Sequence, residues 1–393
     1  MTMSWQTVED QYLRDNKFFA QLVGVWPYQE RFTKFSIRLV IFVLVIIALA
    51  TQASRVIVSY SIDALMDEVV YLVITVTVPI KQYNYILNEK KLEELLREIV
   101  FDHLMERPKK EMEILDTYYR KALIFSFIYK ASISTSALTF ILIPAIPPIL
   151  NIIAPLNESR GREFVYPAYF FVDEQRYYYP ILVNMIISAL VLASVYIACD
   201  VNLIHLIHHG CALLAISGYR FKHALDDVNL YDEKYNDALM HEAYAKVCRS
   251  IEGHKRAVEY VEKIDACYVH YFFVLLGIII TAFTSTFIRL STMEMDTRYF
   301  TFCIFTFAQL VHLLFLTIMG QIVENSNNEV SHKIYEANWY TGSSRTQLLY
   351  VLVLRKCLNP PALSGGGLVP LNLFSFVQVL KASFSYFTVF RSA

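Results

Sequence analysis

Charge is scarce in this chain and neither sign is in excess. Of 393 residues, 18% are Asp, Glu, Lys or Arg, with 35 basic against 36 acidic, whereas soluble domains carry about 25% charge. With no basic surplus, nothing favours a nucleic-acid partner. The six cysteines (Cys199, Cys211, Cys248, Cys267, Cys303, Cys357) all avoid the loops assigned below to the outside, so no outer disulfide framework is available. Catalytic sets are missing too: no Ser/His/Asp group, no paired carboxylates. Gly365-Gly366-Gly367 lacks the Lys-Ser/Thr of a phosphate loop and reads as a flexible turn. His205, His208 and His209 have helical spacing but no evident acidic or cysteine partner, which favours helix packing over a metal. An enzyme, a cofactor and a metal site are therefore not expected.

What is abundant is apolar sequence: 55% hydrophobic residues and a mean hydropathy of +0.39. Seven runs have spanning length, at 36–54, 66–87, 122–150, 179–203, 268–290, 298–323 and 368–390. Pro144, Pro147 and Pro148 predict a kink at the end of the third. No short apolar segment with a small-residue cleavage site precedes the first run, so that run is expected to act as a signal-anchor. Lys and Arg number 24 in the N-terminal segment and alternate connections, against 7 in the other set. By the positive-inside rule the N-terminus is cytoplasmic and the C-terminus extracellular. The sequon Asn157-Glu158-Ser159 then falls outside, as a glycosylation acceptor must. Seven spans suggest a G-protein-coupled receptor, but that class has its N-terminus outside, and Asn359-Pro360-Pro361 is not its Asn-Pro-x-x-Tyr signature.

The expected architecture is an all-α membrane protein of seven transmembrane helices, with long helices extending into the cytosol as an intersubunit anchor. It divides into a cytoplasmic segment 1–35, a bundle 36–323 of six spans with cytoplasmic extensions, an anchor segment 324–367 and a last helix 368–393. Lys234 to Tyr268 reads as one helix running into span 5, with apolar positions three and four apart. Span 4 continues through Leu206, Leu213 and Leu214. Ser344–Cys357 is too short to span and too apolar to stand uncovered. It is expected to be buried in its own subunit or, the preferred reading, against neighbouring subunits. Asp200 and Lys130, near span interiors, are expected to pair or to be satisfied by neighbours.

The last run carries a pattern that a lipid anchor has no use for. On a helical wheel Ser375, Gln378, Lys381, Ser385 and Thr388 share an arc of about 140°, and the rest of the circumference is mostly Phe, Val and Leu. One wet side and one apolar side suit a helix lining a water-filled path.

The final third resembles the insect odorant receptors. The resemblance rests on Glu336-Ala337-Asn338-Trp339-Tyr340, the apolar helix ending in Arg355-Lys356, Pro361-Ala362-Leu363-Ser364-Gly365-Gly366, and the tail Lys381-Ala382-Ser383-Phe384-Ser385-Tyr386-Phe387-Thr388. It implies an odorant-gated, non-selective cation channel subunit in the plasma membrane of sensory neuron dendrites. Such subunits form tetramers around a pore lined by the last span, and most pair with the co-receptor Orco. The tail and the short segment between spans 4 and 5 are similar to the odour-tuned class rather than to Orco. Val389 matches the family's hydrophobic gate position and lies in the polar arc; the gate's second position falls at Ala393, smaller than its counterpart in Orco. Lys381 is foreign to a cation path unless it snorkels or pairs. The resemblance also places a small apolar odorant in the outer half of the bundle. Candidate contacts are Val70, Tyr71 and Ile74 on span 2, Leu138 and Ile141 on span 3, and Met185 and Ser188 on span 4. Thr284, Phe287, Cys303 and Phe307 close the site from spans 5 and 6. A gustatory-receptor-like channel and a secondary transporter are the alternatives, the latter lacking the paired repeats it requires.

Overall fold

The computed structural model describes residues 5–154, 160–227, 237–295 and 297–392. Two short helices, α1 (Trp5–Tyr12) and α2 (Arg14–Leu22), precede α3 (Arg31–Ser59) and α4 (Ile62–Leu87). Next come α5 (Glu89–Leu104) and α6 (Lys109–Leu142). The prolines then act as expected: α6 yields to a 3₁₀ turn at Ile143–Ala145 and a separate α7 (Ile146–Ile153), because proline cannot donate to the helical ladder. Two very long helices follow, α8 (Tyr178–His223, 46 residues) and α9 (Asp237–Thr292, 56 residues). The chain ends with α10 (Thr297–Tyr335), α11 (Ser344–Cys357) and α12 (Leu373–Ser392).

Among the described residues six helices are long and apolar enough to cross a bilayer: α3, the α6–α7 run, α8, α9, α10 and α12. The protein is thus a multi-pass, helical membrane protein. α4, whose sequence holds Asp63, Asp67, Glu68 and Lys81, is not one of those six, yet it packs among α3, α8 and α9. The central staff is α8. From Val195 to Ser217 every residue but Tyr196 is buried, the pattern of a helix apolar on all sides and surrounded by others. Asp200 does not pair with Lys130. Its carboxylate takes Lys81 Nζ at 2.6 Å and the Tyr129 hydroxyl, while Lys130 Nζ lies 5.8 Å from the Phe19 ring.

Ion pairs hold α5 to the extensions of α8 and α9. Asp102 is completely buried and accepts from His209 Nε2 (3.0 Å), both Arg256 Nη atoms (2.7 and 2.9 Å) and Arg107. Burial by itself would raise its pKa, but the hydrogen bonds and charges of His209 and Arg256 outweigh it and hold the carboxyl well below its usual range. His209 therefore has an acidic partner that its spacing did not reveal. Among the described residues no group of three or more His, Cys, Asp or Glu side chains is placed to hold a metal.

The connection into α12 is tighter than a flexible turn. Ser364–Gly365 pairs antiparallel with Val369–Pro370, and Gly366 and Gly367 adopt φ of +65° and +69°, where a Cβ is strained. Gly366 N donates to Val269 O and Ser364 N to Asp265 Oδ1, fastening the hairpin to α9. The following residue, Leu371, passes so close to α10 that a Cβ on Gly320 would sit 1.7 Å from its carbonyl oxygen. α11, with Ser343 Oγ capping Thr346 N, buries Tyr350 and Val353. It leaves Leu348, Val351 and Leu352 more than half exposed on the single chain.

Candidate ligand cavity and last helix

A cavity of about 210 Å³ lies among α3, α4, α6, α8, α9 and α10, with Val165 and Tyr166 of the α7–α8 connection at its edge. Short side chains make the space: Ala48, Ala137, Ala189, Ala193, Ala282 and Ala308 all line it. Aromatic rings close the end nearest that connection, where Tyr71 stands 6.3 Å from Tyr166 and 5.9 Å from Phe305, and Phe140 5.6 Å from Phe305. Thr77, Tyr196, Gln309 and His312 line it further along their helices. Behind them sits the Lys81–Asp200–Tyr129 group, with Tyr129 Oη 3.2 Å from His312 Nδ1 and Lys81 Nζ 4.7 Å from the Tyr196 ring. The walls are mainly apolar, with a few polar side chains, which is the constitution of a small-molecule site. At 210 Å³ it is smaller than the several hundred Å³ of drug-sized sites.

Of the candidate contacts, Tyr71, Ile74 and Ser188 line this cavity. Val70 is buried one layer back, packed with Phe302 and Phe305. Met185 belongs to a separate cluster with Val165, Ala168 and Ile181. Leu138 and Phe307, 56% and 68% exposed, face the outside of the bundle. Ile141 and Cys303 are half-buried and stand off the cavity wall. Thr284 and Phe287 occupy the other face of α9: Thr284 Oγ1 donates to Ile280 O and Ser383 O, and Phe287 packs edge-on to Phe387. Both thus touch α12 instead of the cavity. Gln52, Gln309 and His312 were not among the candidates. The available signal was a pair of polar residues three apart inside an apolar run, which puts Gln309 and His312 on one face.

α12 packs Ser375, Val379, Ser383 and Phe387 inward against α9 and α10. Gln378, Lys381, Ser385, Thr388 and Val389 are exposed on the opposite side. Ser375 is turned inward as a cap, its Oγ accepting from Asn372 N while Asn372 Oδ1 accepts from Ser375 N. Asn157 and Ala393 lie outside the described residues.

Residues 61–384 match the model of the 7tm Odorant receptor family. The chain belongs to that family. Family membership makes it a receptor of the membrane and not an enzyme. The receptor's fold agrees: it superposes on the insect olfactory receptor OR5 from Machilis hrabei in complex with eugenol with a TM-score of 0.79, at 14% identity, covering 98% of both chains. For another structure of the same olfactory receptor the TM-score is 0.75, again at 14% identity, with 97% of both chains covered. No curated protein matches this receptor by sequence.

Proposed function

We propose that the chain is an odour-tuned subunit of a ligand-gated, non-selective cation channel, which binds a small volatile or apolar odorant in the cavity and lines a central pore with α12. In this reading α4 is the seventh span, the N-terminus is cytoplasmic and the C-terminus outside, following the distribution of Lys and Arg. The partner is the co-receptor Orco in a heterotetramer at the plasma membrane of sensory dendrites, with permeant cations passing along the axis. The uncovered Leu348, Val351 and Leu352 of α11 would meet neighbouring subunits in the cytosolic anchor. Asn157 would be the glycosylated position.

The observation that carries the reading is the position of α9. One face of this helix lines the cavity through Leu275, Ile278, Ile279 and Ala282. Another holds α12 through Thr284 and Phe287. A ligand that favours one placement of α9 therefore biases α12. The exposed stripe of Gln378, Lys381, Ser385 and Thr388 then faces the axis, with Val389 as the apolar constriction. Lys381 is tolerated there if the co-receptor supplies the other walls.

The test is to record currents from cells expressing the chain with and without Orco while a panel of volatile compounds is applied. Ligand-evoked current that needs Orco is expected, and Ala189→Trp, which fills the cavity, should abolish it without loss of surface protein. Flux that saturates with substrate and shows no unitary currents would replace the channel with a transporter.

A further inference from the structure

We propose that the cavity prefers ligands that donate a hydrogen bond, namely alcohols and phenols with a small apolar body, over ethers and hydrocarbons of the same shape. The inference rests on reading the cavity as the odorant site and adds the chemical class of its ligand. It follows from how protons are distributed behind the wall. The Asp200 carboxylate, in an ion pair with Lys81 Nζ at 2.6 Å, acts as an acceptor. Tyr129 has a single O–H, and donates it to Asp200. Toward His312 Nδ1, 3.2 Å away, the Tyr129 oxygen can then only accept. The proton of a neutral His312 must therefore sit on Nδ1, which leaves Nε2 as an acceptor.

His312 Nε2 has no hydrogen-bond partner and is shielded from solvent. One turn earlier on α10, neither amide atom of Gln309 is paired. Gln52 Nε2 donates to Thr75 Oγ1, so its Oε1 is an acceptor, and it too is unpaired, as is Ser188 Oγ. All four side chains line the cavity. Unpaired buried polar groups are costly, and here the fixed ones, His312 Nε2 and Gln52 Oε1, are both acceptors. A purely apolar ligand leaves them unpaired, and an ether brings one more acceptor. A hydroxyl supplies the missing donor, and its oxygen can accept from the Gln309 amide.

The experiment compares three probes of matched length, a primary alcohol, its methyl ether and the corresponding alkane, by dose–response on cells expressing the full chain with Orco. The alcohol is expected to act at concentrations about tenfold lower than the other two. Gln309→Leu and His312→Phe should each shrink that advantage to about twofold or less. Gln309→Leu keeps the Tyr129–His312 contact intact, so it reports even if His312→Phe does not reach the surface. Equal potency of the three probes, with every response still lost in Ala189→Trp, overturns the donor preference and leaves the cavity reading standing. Responses indifferent to Ala189→Trp, or silence from all three probes with protein at the surface, overturn the cavity reading and the donor preference with it.

Discussion

Asp200→Leu is the most informative single change to the bundle. Asp200 and Lys81 are 4% and 1% exposed, so water relieves neither charge if the other is lost. Asp200 also holds the Tyr129 hydroxyl, and Lys81 has the Tyr196 and Tyr271 rings at 4.7 and 5.4 Å as its remaining company. Removing one member of a buried pair costs about 3–5 kcal/mol. Asp200→Leu sits at the upper end, because it strands an ammonium and a phenol together. Lys81→Met sits at the lower end, since Asp200 retains the Tyr129 donor. In the double variant no charge is stranded, and it should recover about 2 kcal/mol or more relative to the sum of the singles. The assay is thermal unfolding of purified protein in detergent with the four members of the cycle side by side. A fall of roughly 5 °C for Asp200→Leu, partly restored in the double variant, is expected. Strictly additive singles would refute the pairing argument, and with it the proton assignment at His312.

Three other outcomes are expected. Gly320→Ala places a Cβ 1.7 Å from Leu371 O; since backbone must move, surface expression and current should collapse, and normal surface levels would refute the close approach of α10 to the chain entering α12. His103, on α5, is buried with Nδ1 bonded to Ile99 O, and burial lowers its pKa to about 4. Because the unfolded chain binds this proton near pH 6.5 and the folded one does not, stability should fall as pH drops from about 6.5 toward 4, by roughly 3 kcal/mol. Unfolding measured across that range should show the loss in the wild type and less of it in His103→Phe. Finally, Val389→Glu, exposed on α12, should raise basal leak or alter relative cation permeability; unchanged reversal potentials and leak would remove Val389 from the permeation path.

Helices were legible wherever periodicity or a cap was strong. Ser344–Cys357 has the expected bounds because a serine cap opens it and Arg355-Lys356 closes an unbroken apolar core. The long extensions of α8 and α9 followed from apolar positions three and four apart. The cavity was harder, for a physical reason. In a span that is apolar all round, period alone does not tell lipid from interior, so the large Leu138 and Phe307 looked like contacts yet face outward. The cavity exists where side chains are short, and the telling positions were alanines such as Ala137 and Ala308, one residue away in each case. The triglycine read as slack; its packing against Phe273 and Leu276 depends on contacts about 90 residues distant in sequence that no local pattern encodes. Lys81, not Lys130, meets Asp200 for the same reason: the partner is chosen by helix rotation.

The unbroken length of α9 has a mechanical consequence. From Ile279 at the cavity to Asp237 at its start the helix runs 42 residues, about 63 Å at 1.5 Å per residue. Over that arm a tilt of only about 2°, pivoting at the cavity, carries the far tip by roughly 2 Å, a distance no side-chain adjustment at the ligand would produce directly. α9 is thus a lever whose short arm is fastened to α12 and whose long arm ends at Asp237, so that a displacement too small to resolve at the cavity becomes measurable between labels placed at its distant end.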